Sequence, residues 1–409
     1  MREQAMKIIG GFYGERMMHP TYDALYGSGL RAAAALAVLC NDVELFTYAA
    51  FGQEAELSAI ADTFGLRASS SRRSQSIEFD YLHGSASPEL IPDFRNIEQC
   101  EPIVVTSDIV VRFGMLEGSG ITNANWAIFD PQTEVAPEAF HANGSTANHL
   151  ALVLNEKEAF ALSKATDLDS AAKVLIRLSP NTKAVVIKCD VRGALVCTEK
   201  QSEWVHPYKT ASVFTIGSGD IFTAAFAFQW AVQQRSPVQA AEFASLATAF
   251  YCANRFLPLP KNFEEITKKQ YKILKPKGIP GQIYIAAPFF SLGERWVVEQ
   301  LRTALFSYGF HVFSPFHDVG IGSPEVVAPA DLKGLRESSV VLACVDGMDA
   351  GTVFEVGYAR ARDIPVVALS TVPRRLEDLT MIIGSDCVLV QDIASAVYQT
   401  AWILAEQGK

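Results

Sequence analysis

The chain has 409 residues, 49% hydrophobic and 20% charged, enough for roughly two to three domains with sizeable cores and too apolar for global disorder. Its 35 Lys and Arg against 45 Asp and Glu leave a net charge of −10, which removes the overall basic footprint of a nucleic-acid binder. The longest purely apolar run, Ala32–Cys40, is about half of what a membrane span needs, and MREQAMKIIGG lacks the apolar core of a secretory signal.

In chain order, Lys7–Gly11, Glu44–Tyr48, Ile103–Ser107, Ala127–Asp130, Leu150–Leu154 and Ala184–Lys188 read as strands between helices. Ser69–Pro92 breaks that pattern. It is Ser/Arg-rich, then alternates through SIEFDYLHG like an exposed strand, which predicts a small flap over a larger α/β core. Ala240–Phe256 predicts a buried helix. Between Pro258 and Pro280 the composition shifts to six lysines, two glutamates and four prolines. An interdomain linker is expected there, with a surface helix as the alternative.

Beyond it, strands and helices alternate. Strands are expected at Ile283–Ala287, His311–Ser314, Val340–Val345, Pro365–Leu369 and Cys387–Val390. Helices are expected at Leu292–Tyr308, Ala330–Ser338, Thr352–Arg362 and Ile393–Glu406. Short apolar runs separated by helices indicate parallel strands covered on both faces, a small flavodoxin-like doubly wound domain. The expected division is 1–258, a linker at 259–280, and 281–409. The seven cysteines (40, 100, 189, 197, 252, 344 and 387) show no C-x-x-C and no zinc spacing. That pattern suits thiols in a reducing cytosol.

The sharpest N-terminal signal is Thr215-Ile-Gly-Ser-Gly-Asp220 before the helical run IFTAAFAFQWAV. Gly217, Ser218 and Gly219 can turn backbone amides inward at a helix start, making an anion hole for a phosphate. Asp220 at that start can accept a proton from an attacking hydroxyl, or be an ordinary N-cap. Gly27-Ser-Gly29-x-Arg31 opens an Ala-rich helix. Asn155 and Glu158, one helical turn apart, follow the strand LALVL, and VVIKCDVRGALV precedes the glycine turn.

In this order the set resembles the ribokinase-like (PfkB-type) carbohydrate kinase family across 1–258. The resemblance implies a ribokinase-like α/β domain with a small β flap, which phosphorylates a sugar or nucleoside hydroxyl with ATP and Mg²⁺. It makes Asp220 the catalytic base, Gly217–Gly219 the anion hole, Asn155 and Glu158 the organisers of Mg²⁺ and its waters, and Gly27 and Gly29 the pair beside the sugar. Glu15 is the nearest candidate for the acid that grips the sugar. The family's usual GAGD is GSGD here.

The C-terminal signal is Asp349-Ala-Gly351-Thr-Val-Phe-Glu355-Val-Gly-Tyr-Ala after the strand VVLACVDG. A helix starting at Gly351 and Thr352 would put Glu355 in its first turn, where the macrodipole favours an ionised carboxylate. Asp349 would lie in the loop at the strand's end, close enough to orient a sugar hydroxyl. Ile283-Tyr284-Ile-Ala-Ala-Pro-Phe289-Phe290 runs into an aromatic loop at the same edge, and Ala330-Asp331-Leu-Lys-Gly-Leu puts a third carboxylate at a helix start.

Together these resemble the nucleoside 2-deoxyribosyltransferase family over about 281–390. The resemblance makes Glu355 the nucleophile that displaces the base from the anomeric carbon, as in a retaining glycosidase. Asp349 and Asp331 become partners in sugar orientation and leaving-group protonation, and Tyr284 a positioning residue. Gly351 lies beside the substrate, and Phe289 and Phe290 stack on the base or fill core. No cofactor is implied for this domain. Ala-Ala-Pro-Phe-Phe in the first loop leans toward an unphosphorylated nucleoside, unless Ser291 supplies phosphate contacts.

The expected protein is therefore a cytoplasmic bifunctional enzyme of nucleoside and sugar metabolism, acting on small molecules and not on nucleic acid or membrane. The alternatives are a nucleoside 5′-monophosphate N-glycosidase fed by the kinase, or a nucleotide-sensing module with a degenerate kinase domain. A homo-oligomer, most simply a dimer, is expected because Gln75–His83 reads as an unpaired flap edge.

Overall fold

The structure is a computed structural model that describes residues 5–407, apart from 134, 136, 180, 278–280 and 373. The chain divides into two compact units. The first runs through Tyr81 and takes in Pro88–Tyr208 and Thr215–Lys272; the second is Leu82–Ser87, Lys209–Phe214 and the chain from Ile273 onward.

The strands up to the second unit's sheet are β1 (Met6–Ile9), β2 (Gly14–His19), β3 (Tyr22–Leu25), β4 (Val43–Ala50), β5 (Arg67–Arg73), β6 (Glu78–His83), β7 (Glu89–Ile91), β8 (Ile103–Phe113), β9 (Gly120–Asp130), β10 (Thr146–Asn155), β11 (Thr182–Lys188), β12 (Ala194–Cys197) and β13 (Ser202–Val205), with β14 (Tyr208–Lys209) and β15 (Lys272–Ile273) as a separate pair. The helices are α1 (Gly27–Leu36), α2 (Gln53–Phe64), α3 (Glu156–Ser163), α4 (Leu168–Leu175), α5 (Ser218–Ala227), α6 (Pro237–Asn254) and α7 (Phe263–Gln270).

Among the described residues, nine strands form one sheet in the order β13-β12-β11-β10-β9-β8-β1-β4-β5. It is parallel from β11 to β5, and its last two strands add antiparallel. Strands buried on both faces have no solvent side to mark with polar residues. Ile8, Ile9, Val110, Val111, Leu150–Leu154 and Val185–Ile187 are accordingly all within the core. β8 and β9 run well beyond their apolar halves, because their outer ends are only partly covered.

The flap differs from the expected one. Ser69–Arg73 belongs to β5, the edge of the main sheet, where serines and arginines keep an open edge from pairing elsewhere. The flap is a four-stranded sheet, β3-β2-β6-β7, drawn from both 14–25 and 78–91. β6 therefore lies between two strands, so the edge argument for self-association through Gln75–His83 does not hold. The lysine-rich stretch expected as a linker carries α7. Its Phe263 is buried edge-on to Phe243 of α6 with ring centres 5.0 Å apart, because apolar Phe263 and Ile266 give the segment one core-facing side. Residues 278–280 of that stretch lie outside the described set.

The second unit contains β16 (Gln282–Ala286), β17 (His311–Phe313), β18 (Val340–Cys344), β19 (Val366–Leu369) and β20 (Val388–Val390), with α8 (Leu292–Ser307), α9 (Pro315–Asp318), α10 (Pro324–Glu337), α11 (Ala350–Arg360), α12 (Thr380–Gly384) and α13 (Ile393–Gln407). The five strands are all parallel in the order β17-β16-β18-β19-β20, which is the flavodoxin-like 2-1-3-4-5 arrangement. Its direction of winding reverses at β16, and in open sheets of this kind ligands bind at the carboxyl ends of the strands beside such a reversal. α10 starts at Pro324, earlier than expected, and carries Pro329 inside. A proline there forfeits one backbone hydrogen bond, which hid the helix from a sequence reading.

Replacing Phe263 by Ala is expected to destabilise the first unit by about 3–5 kcal/mol, the usual range for emptying a buried aromatic site. Urea unfolding should show a lower midpoint with the slope retained.

Candidate active sites

In the first unit the chemistry gathers where β1, α1 and α5 meet. Gly27 has φ +67°, and a Cβ there would sit 2.6 Å from the Gly11 carbonyl oxygen; one on Gly29 would sit 2.6 Å from the Gly10 carbonyl carbon. The glycine pair therefore lets α1 begin in contact with the turn after β1, where Gly29 N donates to Gly11 O at 3.0 Å. One turn into α1, Arg31 is 1% exposed.

A guanidinium that far from water needs anionic partners. Glu15 of β2 supplies one: its Oε1 accepts from Arg31 Nη1 at 3.0 Å and from Gly27 N at 3.2 Å, and its Oε2 accepts from Arg31 Nη2. Asp220, in the first turn of α5, supplies the other through Oδ2 at 3.0 Å. Burial alone would lower the Arg31 pKa, but Glu15, Tyr251 and Asp220 hold it above the ordinary value. Gln132 Nε2 donates to the remaining Asp220 oxygen at 2.7 Å.

Beside this cluster, Lys188 at the end of β11 pairs with Asp130 at 2.6 Å, and Thr223 Oγ1 donates to the same carboxylate oxygen at 2.8 Å. Burial works to lower the Lys188 pKa, and Asp130 and Glu158 raise it above the usual lysine value. The glycine turn has the expected form. Gly217 is left-handed, φ +75°, at the N-cap of α5, and the amides that follow have no partner within the helix.

The structure thus brings together Glu15, Gly27, Gly29, Gly217, Ser218, Gly219 and Asp220. Asn155 and Glu158 form a capping box for α3, with Glu158 close enough to act on Lys188: Asn155 Oδ1 accepts from Glu158 N at 2.9 Å, and Glu158 Oε2 accepts from Asn155 N at 2.7 Å. Among the described residues, no group of three or more His, Cys, Asp or Glu is arranged to hold a metal ion. The glycine turn fits a phosphate; the Asn155–Glu158 pair does not by itself fit a metal.

In the second unit the site lies at the carboxyl ends of β16 and β18. Tyr284 of β16 is fully buried, stacks on Phe313 with ring centres 5.5 Å apart, and donates to Glu355 Oε1 at 2.5 Å. Asp349 is the N-cap of α11, its Oδ2 accepting from Thr352 N at 2.8 Å. The helix therefore begins at Ala350, ahead of the start expected at Gly351 and Thr352, and Glu355 stands in its second turn. Asp331 likewise lies two turns inside α10 rather than at its start.

These placements change the electrostatics. The macrodipole acts within the first turn, so burial governs Glu355. Lost hydration pushes its pKa up to about 7; Asp331 and Asp349 add to the rise, and the Tyr284 hydroxyl opposes it. Burial also raises Asp331, whose Oδ1 is enclosed without a hydrogen-bond partner. Phe289 is half-buried and Phe290 is 73% exposed, so neither is core. Phe289 packs against Phe316 at 5.4 Å, and Arg295 lies over Phe316 while its Nε donates to the Phe289 carbonyl. Gly351 opens α11 beside the Asp349 carboxylate.

Sequence reasoning missed Arg31, Gln132, Lys188, Asp130 and Phe316 as site residues. A single arginine inside GLRAAAAL, and a lysine closing VVIK, were the available signals: a charge in a buried run requires a partner.

Two family models match segments of the chain. Residues 145–255 match the pfkB family carbohydrate kinases, and residues 283–394 match the nucleoside 2-deoxyribosyltransferase family. The chain thus carries a segment similar to the pfkB-type kinases followed by one similar to the nucleoside 2-deoxyribosyltransferases. Among solved structures it is similar to ribokinase from Giardia lamblia at 16% identity and TM-score 0.49, over 65% of this chain and 99% of that one. It is also similar to ribokinase from Thermotoga maritima at 17% identity and TM-score 0.46, over 65% and 99%. Adenosine kinase from Sinorhizobium meliloti gives 15% identity and TM-score 0.45, over 65% and 99%. No curated protein matches the chain. No helix among the described residues is long and apolar enough to cross a membrane.

With carboxyl-selective ¹³C labelling, the Glu355 carboxyl is expected to titrate with a midpoint near pH 7. Tyr284→Phe removes the one donor that favours its ionised form, so the midpoint should move further up.

Proposed function

We propose that the chain is a cytoplasmic bifunctional enzyme of nucleoside and sugar metabolism, in which the second unit cleaves or transfers the N-glycosidic bond of a (deoxy)nucleoside and the first phosphorylates a sugar or nucleoside with ATP. The observation that carries the first half is the Tyr284–Glu355 hydrogen bond at the sheet's reversal point, with Asp331 and Asp349 close enough to raise the Glu355 pKa. Glu355 would attack the anomeric carbon as the bond to the base breaks, the base leaving with the electron pair. Asp331, whose burial favours its protonated form, is suited to protonate that base. Water or a second base would then release the sugar from Glu355. Phe289 and Phe290 offer aromatic faces to the nucleobase. Ser291 Oγ caps α8 and hydrogen-bonds with Glu294, which supports an unphosphorylated nucleoside over a 5′-monophosphate.

In the first unit, Asp220 at the start of α5 would take the proton of the acceptor hydroxyl while the Gly217–Gly219 turn holds the transferred phosphoryl group. Mg²⁺ would enter bound to the nucleotide phosphates. The pairing has a chemical logic: hydrolysis of a nucleoside frees a pentose, which a pentose kinase can consume.

A panel of nucleosides and nucleotides, incubated with and without MgATP and a free base and followed by mass spectrometry, tests both halves. Glu355→Ala should lower base release or exchange on the order of 10⁴-fold or more, the scale seen when a nucleophile is removed. A 2-fluoro sugar analogue should add its mass at Glu355 in the wild type. Asp220→Asn should reduce ATP-dependent phosphorylation about 10²- to 10⁴-fold. Ligand binding without turnover by either unit would favour a nucleotide sensor instead.

A further inference from the structure

Arg31 has one atom that its two carboxylates leave unanswered. Its Nε is buried without a hydrogen-bond partner, although Nη1 and Nη2 are both engaged. The position of that atom is informative. A Cβ built on Gly217 would lie 2.2 Å from Nε and Cδ and 2.3 Å from Cζ. The inner edge of the guanidinium therefore covers the first glycine of the turn that opens α5. On the second glycine, a Cβ at Gly219 would lie 3.3 Å from Lys188 Nζ. Each glycine thus faces a cation, Arg31 buried and Lys188 partly buried.

We infer that Arg31 and Lys188 are phosphoryl-binding residues of the first unit, and that Arg31 couples the proton acceptor to the anion hole. The inference rests on the kinase reading above. In the transfer step the acceptor oxygen forms a bond to the γ-phosphorus as the bond from that phosphorus to the β,γ-bridging oxygen breaks. ADP leaves with the electron pair, and the hydroxyl proton passes to Asp220. As Asp220 is neutralised, Arg31 loses one of its two counter-charges. Its field then falls on the phosphoryl oxygens over Gly217, where negative charge must be held. Neither a neutral residue nor a lysine at 31 reproduces this, because one planar fork has to reach Glu15, Asp220 and the space over Gly217 together.

The test compares two nucleotides that differ at the γ-phosphate. Calorimetry with Mg²⁺ should show the wild type binding β,γ-imido-ATP more tightly than ADP. Arg31→Lys should lose about tenfold to a hundredfold of that preference, the scale of a charged hydrogen bond, with ADP affinity within about twofold of the wild type. Unchanged ADP affinity also reports a folded site. Should Arg31→Lys not fold, the compensated pair Arg31→Gln with Glu15→Gln removes one charge of each sign and must show the same loss. Equal binding of the two nucleotides by the wild type, or an undiminished preference in the variants, overturns the inference and leaves the kinase reading standing. A wild type that binds neither nucleotide overturns both.

Discussion

A cation removed from water fixes its surroundings more strictly than any apolar contact does. Arg31 sits in the middle of an alanine-rich helix face, and its charge can stay there only because a flap strand and a second helix each deliver a carboxylate to it. Three elements are held in register by this demand: β2 through Glu15, α1 through Arg31, and the distant α5 through Asp220. Losing one member of such a set leaves a buried charge uncompensated, a cost of about 3–5 kcal/mol. The glycines follow from the same constraint. Gly27 and Gly29 let α1 approach the end of β1 closely enough for Arg31 to reach inward, and Gly217 leaves room for the guanidinium.

Among the described residues, no cation acts on Glu355, the central acid of the second unit. Glu355 is surrounded by lost hydration and by two other carboxylates, with a single hydroxyl donor to favour its ionised form. Its ionisation is therefore set by how far water is excluded and by Tyr284, not by helix position. That makes the site sensitive to whatever covers the carboxyl ends of β16 and β18. A ligand that displaces the remaining water would raise the acid further unless it brings a donor or a developing positive charge of its own.

The parallel sheets were legible in sequence because strands covered on both faces are continuous apolar runs. Leu150–Leu154 and Val340–Cys344 could hardly be anything else. What escaped was set by long-range pairing. Arg67–Arg73 carries no apolar signal and becomes a strand only because β4 offers it an edge. Pro324 and Pro329 disguised the first half of α10, and with it the true place of Asp331. The N-x-x-E spacing at Asn155 fits a helix cap as well as a metal-organising pair, and the hydrogen bonds show the cap. The glycine turns and the D-x-G-T-x-x-E string survived intact because their meaning is local.

Under the proposed function the two acids, Asp220 and Glu355, would be asked for opposite things, and their surroundings differ. A group that ends its step holding a proton benefits from a counter-charge that can be handed on once the proton arrives; Arg31 would serve Asp220 in this way if Asp220 is the base. A group that must form a carbon–oxygen bond is hindered by a cation at its attacking oxygen, since the ion pair would have to be broken first. Glu355 has instead a neutral donor on Oε1, which steadies the carboxylate and fixes its orientation while leaving the charge uncancelled. Exchanging these environments would pair the proposed nucleophile with a cation and leave the proposed base unpaired, and neither would suit the reaction proposed for it.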